Sequence, residues 1–181
     1  MSLIAASQLH CRAEVTEREI KQHLEKAPRR TNRVTLLSLL ATKPIQHLLN
    51  PSCGLYIASI NPDEKNMQEL LEAVCINKVP PKPFQFVNSV SNATGFYLAK
   101  ELGLEGPNLF IGSNDEVWKN LIMLANLDLG RSVKQALLIN CINYAESSIE
   151  VVLLEGALLG VEENSFELLA AQTPNFSQAS I

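Results

Sequence analysis

At 181 residues, with 46% hydrophobic and 19% charged side chains, the chain is the size of one globular domain with a real core. A net charge of −4 and a pI near 5.4 argue against a nucleic-acid or anionic-membrane partner, since either selects clustered Lys and Arg. No apolar run reaches the ~18–20 residues of a membrane span. The opening MSLIAASQLHCRAE lacks the basic start of a signal peptide, so a cytoplasmic chain is expected.

Ser2 to Cys11 is short and apolar, which predicts a first strand. Thr16-Glu17-Arg18-Glu19 has the spacing of a capping box and opens a short helix that runs towards Lys26. From Thr31 the pattern TNRVTLLSLLATKPIQHLL puts Val34, Leu37, Leu40 and Ala41 on one helical face. Pro44 then kinks that helix or restarts it. After the turn cluster Asn50 to Gly54, Leu55 to Ile60 is a strand. Asn61-Pro62-Asp63 announces another helix, with a buried stripe of Met67, Leu70, Leu71, Val74 and Cys75. Val79 to Pro83, VPPKP, reads as an extended linker.

The stretch from Asn88 to Asn126 is the most informative. Val90, Ala93, Phe96, Tyr97 and Lys100 share a helix that ends at Gly103, and Gly106-Pro107 turns the chain. A short strand, Leu109 to Ile111, meets a sharp corner at Ser113-Asn114-Asp115-Glu116. A helix from Asp115 should then bury Val117, Trp118, Leu121, Ile122, Leu124 and Ala125 and stop near Gly130. Gln135 to Tyr144 and Ile149 to Leu159 form an antiparallel strand pair. Ser165 to Ala171 is amphipathic, and the polar end QTPNFSQASI is expected to fray. The order βαβααβαββ predicts an α/β fold with a mixed sheet and helices on both faces.

Chemistry-bearing motifs are sparse. Cys11, Cys53, Cys75 and Cys141 form no CxxC pair, and His10, His23 and His47 form no HxxxH pattern, so neither a disulfide framework nor a metal site is expected. Each cysteine sits in or beside an apolar segment, where a small buried hydrophobe is its usual role. With no Gly-x-Ser-x-Gly and no Gly-rich phosphate loop, no hydrolase site and no cofactor are expected. Ser113 and Glu116 have capping-box spacing, so Asp115 belongs first to a helix cap. A free-standing enzyme would have to build its site around Asp115 and Ser113.

The same stretch resembles the β-ketoacyl synthase family of condensing enzymes. Asn92, Ala93 and Gly95, then Gly103-Leu104-Glu105-Gly106-Pro107, Leu109 and Ile111, match the family's spacing, and Pro83-Phe84 resembles its lead-in. The resemblance is detailed over roughly forty residues and topological elsewhere. It implies a thiolase-like half-fold: residues 1–160 as the N-terminal-half domain and 161–181 as a tail with a short helix. Counting from Gly106-Pro107, the family's nucleophilic Cys falls on Asp115. The family's second half, with its activating His residues, has no counterpart in the sequence.

The resemblance therefore implies a non-catalytic, chain-length-factor-like subunit. It would pair with an active ketosynthase in type II fatty-acid or polyketide synthesis and meet acyl carrier protein only indirectly. A self-associating pseudoenzyme is the alternative. Asp115 is the degenerate nucleophile position, and the expected interface residues are Asn92, Phe96, Leu109, Phe110, Ile111 and Ser113. The strand Asn108 to Ser113 is expected at a sheet edge, where a homodimer or a heterodimer with a full-length ketosynthase would form.

Overall fold

One mixed sheet of six strands organises the chain, in the order β3-β2-β4-β5-β1-β6. A computed structural model describes residues 2–29, 31–60, 64–112, 114–143, 146–156 and 165–181. The strands are β1 (Ser2–Cys11), β2 (Gly54–Ser59), β3 (Asn108–Gly112), β4 (Gln135–Asn143), β5 (Ser147–Glu155) and β6 (Phe176–Ser180). β2 pairs in parallel with β3 and β4, and β1 pairs in parallel with β6. β5 runs antiparallel to both of its neighbours, β4 and β1. The expected α/β architecture is present, and so is the antiparallel pair.

Helices cover both faces. On one face lie α1 (Glu17–Gln22), α2 (Arg33–Thr42), the 3-10 helix Lys43–Leu48 and α5 (Ala93–Leu102). Leu9, Leu37, Leu98, Ile57, Ile139 and Val151 pack in that layer. On the other face α6 (Val117–Asp128) and α7 (Phe166–Ala171) cover Tyr56, Ala58, Leu138, Val152 and Leu154. β2 is buried along its whole length, as a parallel strand with helices on both sides must be. Alternation along β4 and β5 splits the two cores between odd and even positions.

Local signals behave as their chemistry requires. Thr16 and Glu19 form the reciprocal capping box of α1, which ends at Gln22, short of Lys26. Asn32 caps α2 by accepting the Thr35 N–H at 2.9 Å. Pro44 restarts the helix as a 3-10 turn, where its missing N–H is harmless. Gly103 closes α5 in the left-handed region at φ 68°. In α6 the expected Val117, Trp118, Leu121, Ile122 and Ala125 are buried, and Leu124 is half-buried.

Several expectations are corrected. α3 (Glu64–Leu71) continues as a π-helical turn, Glu72–Ile76, and this arm is not buried along its apolar stripe. Met67 is 40% exposed, Leu71 51% and Val74 45%; Cys75 is exposed as well. Pro83 is not part of an extended linker but opens α4 (Pro83–Asn88), where proline suits the first turn. The end expected to fray is instead β6, held to β1 by a five-residue register from Ala6↔Phe176 to His10↔Ser180. The cap expected at Asn61-Pro62-Asp63 and the end of the last predicted strand lie outside the described residues. Among the described residues no helix is long and apolar enough to cross a membrane, and no group of His, Cys, Asp or Glu could hold a metal.

Candidate functional site

β3 is the first strand of the sheet, so among the described residues one side of its backbone ladder is unpaired. Leu55 donates its N–H to the Pro107 carbonyl at 2.7 Å. By the alternation of a parallel ladder, Asn108, Phe110 and Gly112 then turn their backbone groups outward. Leu109 is 42% exposed, while Phe110 packs against the α2–α5 layer and Ile111 against the α6 layer. The edge is therefore fixed on both faces and open only along its rim.

Gly95 sets how closely α5 approaches β3. A Cβ at Gly95 would meet Asn108 Oδ1 at 2.4 Å and Asn92 Oδ1 at 2.5 Å. Glycine is therefore what lets both amides lie over the helix. Asn108 Oδ1 is buried with no hydrogen-bond donor. Asn92, an exposed residue, precedes α5 without a side-chain cap, and Phe96 projects from the first turn of α5, 60% exposed, edge-on to Tyr97 at 5.5 Å. The structure thus brings Asn92 and Asn108 together at the start of the edge strand, with Phe96 exposed on the helix beside them in sequence. Ser113 lies outside the described residues.

At the corner the helix begins two residues later than expected. α6 starts at Val117, and Asn114 organises the turn in front of it. Asn114 Oδ1 accepts the Glu116 N–H at 3.0 Å and the Asn120 amide at 3.3 Å, and the Asn114 carbonyl accepts the Val117 N–H. Asn114 thus closes the turn ahead of the helix, whose N-cap residue, Glu116, has no side-chain cap. Asp115 is exposed on the turn. Glu116 pairs with Lys119 at 2.8 Å, which holds the Lys119 ammonium above its usual pKa.

None of the thiols stands at this corner. Burial pushes Cys53 and Cys141 up to about 12. Cys11 is raised by burial too, although the Arg33 guanidinium, 3.0 Å from its sulfur, opposes the shift. Such thiols stay protonated and unreactive at neutral pH.

Sequence reasoning missed the polar group beneath the corner. Glu150 on β5 is 6% exposed, and its Oε2 accepts both the Trp118 indole N–H at 3.1 Å and the Asn140 amide at 3.0 Å. Burial raises its pKa, while the two donors and the distant His10 pull it down. The available signal was a lone Glu on the inward parity of the apolar run IEVVLL. At the other end of α6, the Tyr56 hydroxyl donates to Asp128 Oδ2 at 2.7 Å, and burial raises the phenol's pKa. The helix is thus tied to the sheet at both ends.

Chains of known structure share this fold. A complex of a ketosynthase with its chain length factor from Xenorhabdus doucetiae contains a chain that matches 94% of this one. The match spans 90% of that chain, with a TM-score of 0.66 and 12% identity. The ishigamide ketosynthase/chain length factor matches 78% of this chain and 49% of its own, with a TM-score of 0.64 and 16% identity. Ketosynthase twelve of the bacillaene polyketide synthase from Bacillus amyloliquefaciens matches 74% of this chain and 30% of its own, at 0.53 and 15%. The chain thus has the thiolase-like fold of condensing enzymes. It spans nearly all of the first matched chain and half or less of the other two. No protein-family model and no curated protein matches the sequence.

Proposed function

We propose that this chain is a non-catalytic ketosynthase-like subunit that pairs with an active β-ketoacyl synthase through the rim of β3. Its role is like that of a chain length factor in type II fatty-acid or polyketide synthesis. Residues 1–160 serve as the thiolase-like half-domain, and residues 161–181 form the appended tail that carries α7 and β6. The observation that carries the proposal is the pairing of an open β3 rim with a corner that holds no thiol. Covalent acyl transfer needs a thiolate or hydroxyl nucleophile with oxyanion donors beside it. At Asp115 there is an exposed carboxylate, which is a poor nucleophile.

The segment leading into β3 supports a partner rather than a substrate. Twelve of the sixteen exposed large hydrophobics among the described residues fall between Ile60 and Leu109. They include Met67, Leu71 and Val74 of the α3 arm, Phe84 and Phe86 of α4, and Phe96 of α5. Isolated exposed hydrophobics are common, whereas this concentration on the segment leading to an edge strand marks an association surface. Asn92, Phe96, Leu109, Phe110, Ile111 and Ser113 are the residues proposed to meet the partner, and Asp115 stands where its nucleophile would be.

Co-expression with the ketosynthase encoded nearest to this chain, followed by mass measurement of the purified species, tests the proposal. A joint species that is lost on Leu109→Asp supports it. A homodimer that survives in the presence of the ketosynthase favours the self-associating pseudoenzyme instead.

A further inference from the structure

Among the described residues, the strand at the far edge of the sheet has no partner on its outer side. β6 lies outside β1, with an unbroken register over Phe176–Ser180. Ile181 donates to the His10 carbonyl at 3.0 Å and accepts from the Arg12 N–H at 3.1 Å, and the Ala6 N–H reaches the Asn175 carbonyl at 2.8 Å. The odd positions of this strand therefore face β1. Alternation then turns the backbone N–H and C=O of Phe176, Gln178 and Ser180 away from the sheet. Natural edges are blunted by Lys, Pro or bulges. FSQAS has none of these.

A groove runs beside this open edge. It holds about 440 Å³ between the β1–β6 pair and the start of the 3-10 helix, walled by Leu9, Leu40, Ala41, Pro44 and Ala179. The side chains that β6 contributes, Ser177 and Ala179, are small, which is why the space is not filled from within. Lys43 and His23 stand on its lining, and no Asp or Glu does. Lys43 donates to the His23 carbonyl at 3.3 Å and lies 3.9 Å from Glu25, itself almost fully exposed. The mouth of the groove therefore carries one ammonium, whose ion pair with Glu25 is long and solvent-screened.

From these two features we infer that the β6 edge binds an extended peptide segment as a seventh strand. An aliphatic side chain of that segment enters the groove. An acidic residue two positions away, on the same face of the added strand, meets Lys43. The main-chain bonds to Phe176, Gln178 and Ser180 supply affinity, and the groove with its cation supplies selectivity. This site lies at the opposite edge from β3 and stands independently of any ketosynthase partner.

The test is a backbone-amide NMR titration of the full chain with the capped peptide Ser-Thr-Leu-Thr-Glu-Thr-Ser. The expected result is saturable perturbation of β6, of β1 and of the 3-10 helix. Gln178→Pro removes one outward N–H without touching the main-chain bonds to β1, although it also removes the exposed side-chain bond from Gln178 to Gln8 Oε1 at 3.2 Å, and Ala179→Phe fills the groove. Each should weaken binding by at least about tenfold. Lys43→Glu should cost as much and be offset by a Lys in place of the peptide's Glu. A peptide N-methylated at alternate residues leaves the protein intact and should lose binding. Equal binding of the N-methylated peptide, or no perturbation by either peptide, overturns the proposal. So does a self-associated wild type that Gln178→Pro makes monomeric, because the edge would then belong to a second copy.

Discussion

Trp118 on the first turn of α6 donates its indole N–H to Glu150 Oε2 on β5 across 3.1 Å. This bond joins the corner to a strand that is its neighbour neither in sequence nor in the sheet. Asn140 donates to the same oxygen at 3.0 Å, so one acceptor satisfies two donors. Glutamine offers that acceptor without the charge. Glu150 titrates above the usual carboxylate range because it is buried. Below the unfolded carboxyl's pKa both states are protonated and nothing is lost. As pH rises through the raised folded value, the unfolded chain has already released its proton and the folded one resists, so stability falls. Glu150→Gln is expected to flatten this slope and to add about 1–2 kcal/mol above neutrality. Urea melts of both proteins across pH 5 to about pH 9 measure it.

Gly95→Ala should cost about 1 kcal/mol, because the new Cβ displaces two amides whose oxygens lie within 2.5 Å of it. Asn108→Ala should cost little alone, since its buried Oδ1 accepts no hydrogen bond. The double variant should recover much of the Gly95→Ala loss. A double-mutant cycle in denaturant gives that coupling directly.

Tyr56→Phe leaves the Asp128 carboxylate without its 2.7 Å donor and should destabilise the chain by about 1–2 kcal/mol. The effect should fall on the C-terminal end of α6. Hydrogen exchange should speed up there before it changes at Trp118.

Thiol reactivity reports which cysteines the fold keeps from solvent. Cys11, Cys53 and Cys141 are buried with raised pKa values, and Cys75 lies exposed on the π turn. Iodoacetamide on the native chain near pH 8 is expected to modify Cys75 fast and the other three only after unfolding. Peptide mass mapping reads the result.

Much of this was legible in the sequence because its signals are local. Thr16 and Glu19 announce a capping box that forms, Gly103 announces a left-handed helix end that forms, and the apolar positions of α6 are buried. The misreadings share a physical origin. Periodicity from Met67 to Cys75 reports an apolar face but not what the face meets, and here it meets solvent. The polar composition of β6 predicts a frayed end, whereas its pairing with β1 depends on a strand some 170 positions away. At the corner the expected Ser113–Glu116 cap lies outside the described residues on its Ser113 side, and Asn114 supplies an acceptor to the Glu116 N–H. Alternation puts Glu150 on the inner face, but only the fold shows that Trp118 and Asn140 converge on it.

The central claim is that the β3 rim holds a ketosynthase and that the corner beside it does no chemistry. Light scattering coupled to size exclusion on the co-expressed pair tests it most directly. The expected result is a single species with the summed mass of the two chains, which Leu109→Asp separates while both chains stay folded. Two separate peaks for the wild-type pair, or a joint peak indifferent to Leu109→Asp, would contradict it.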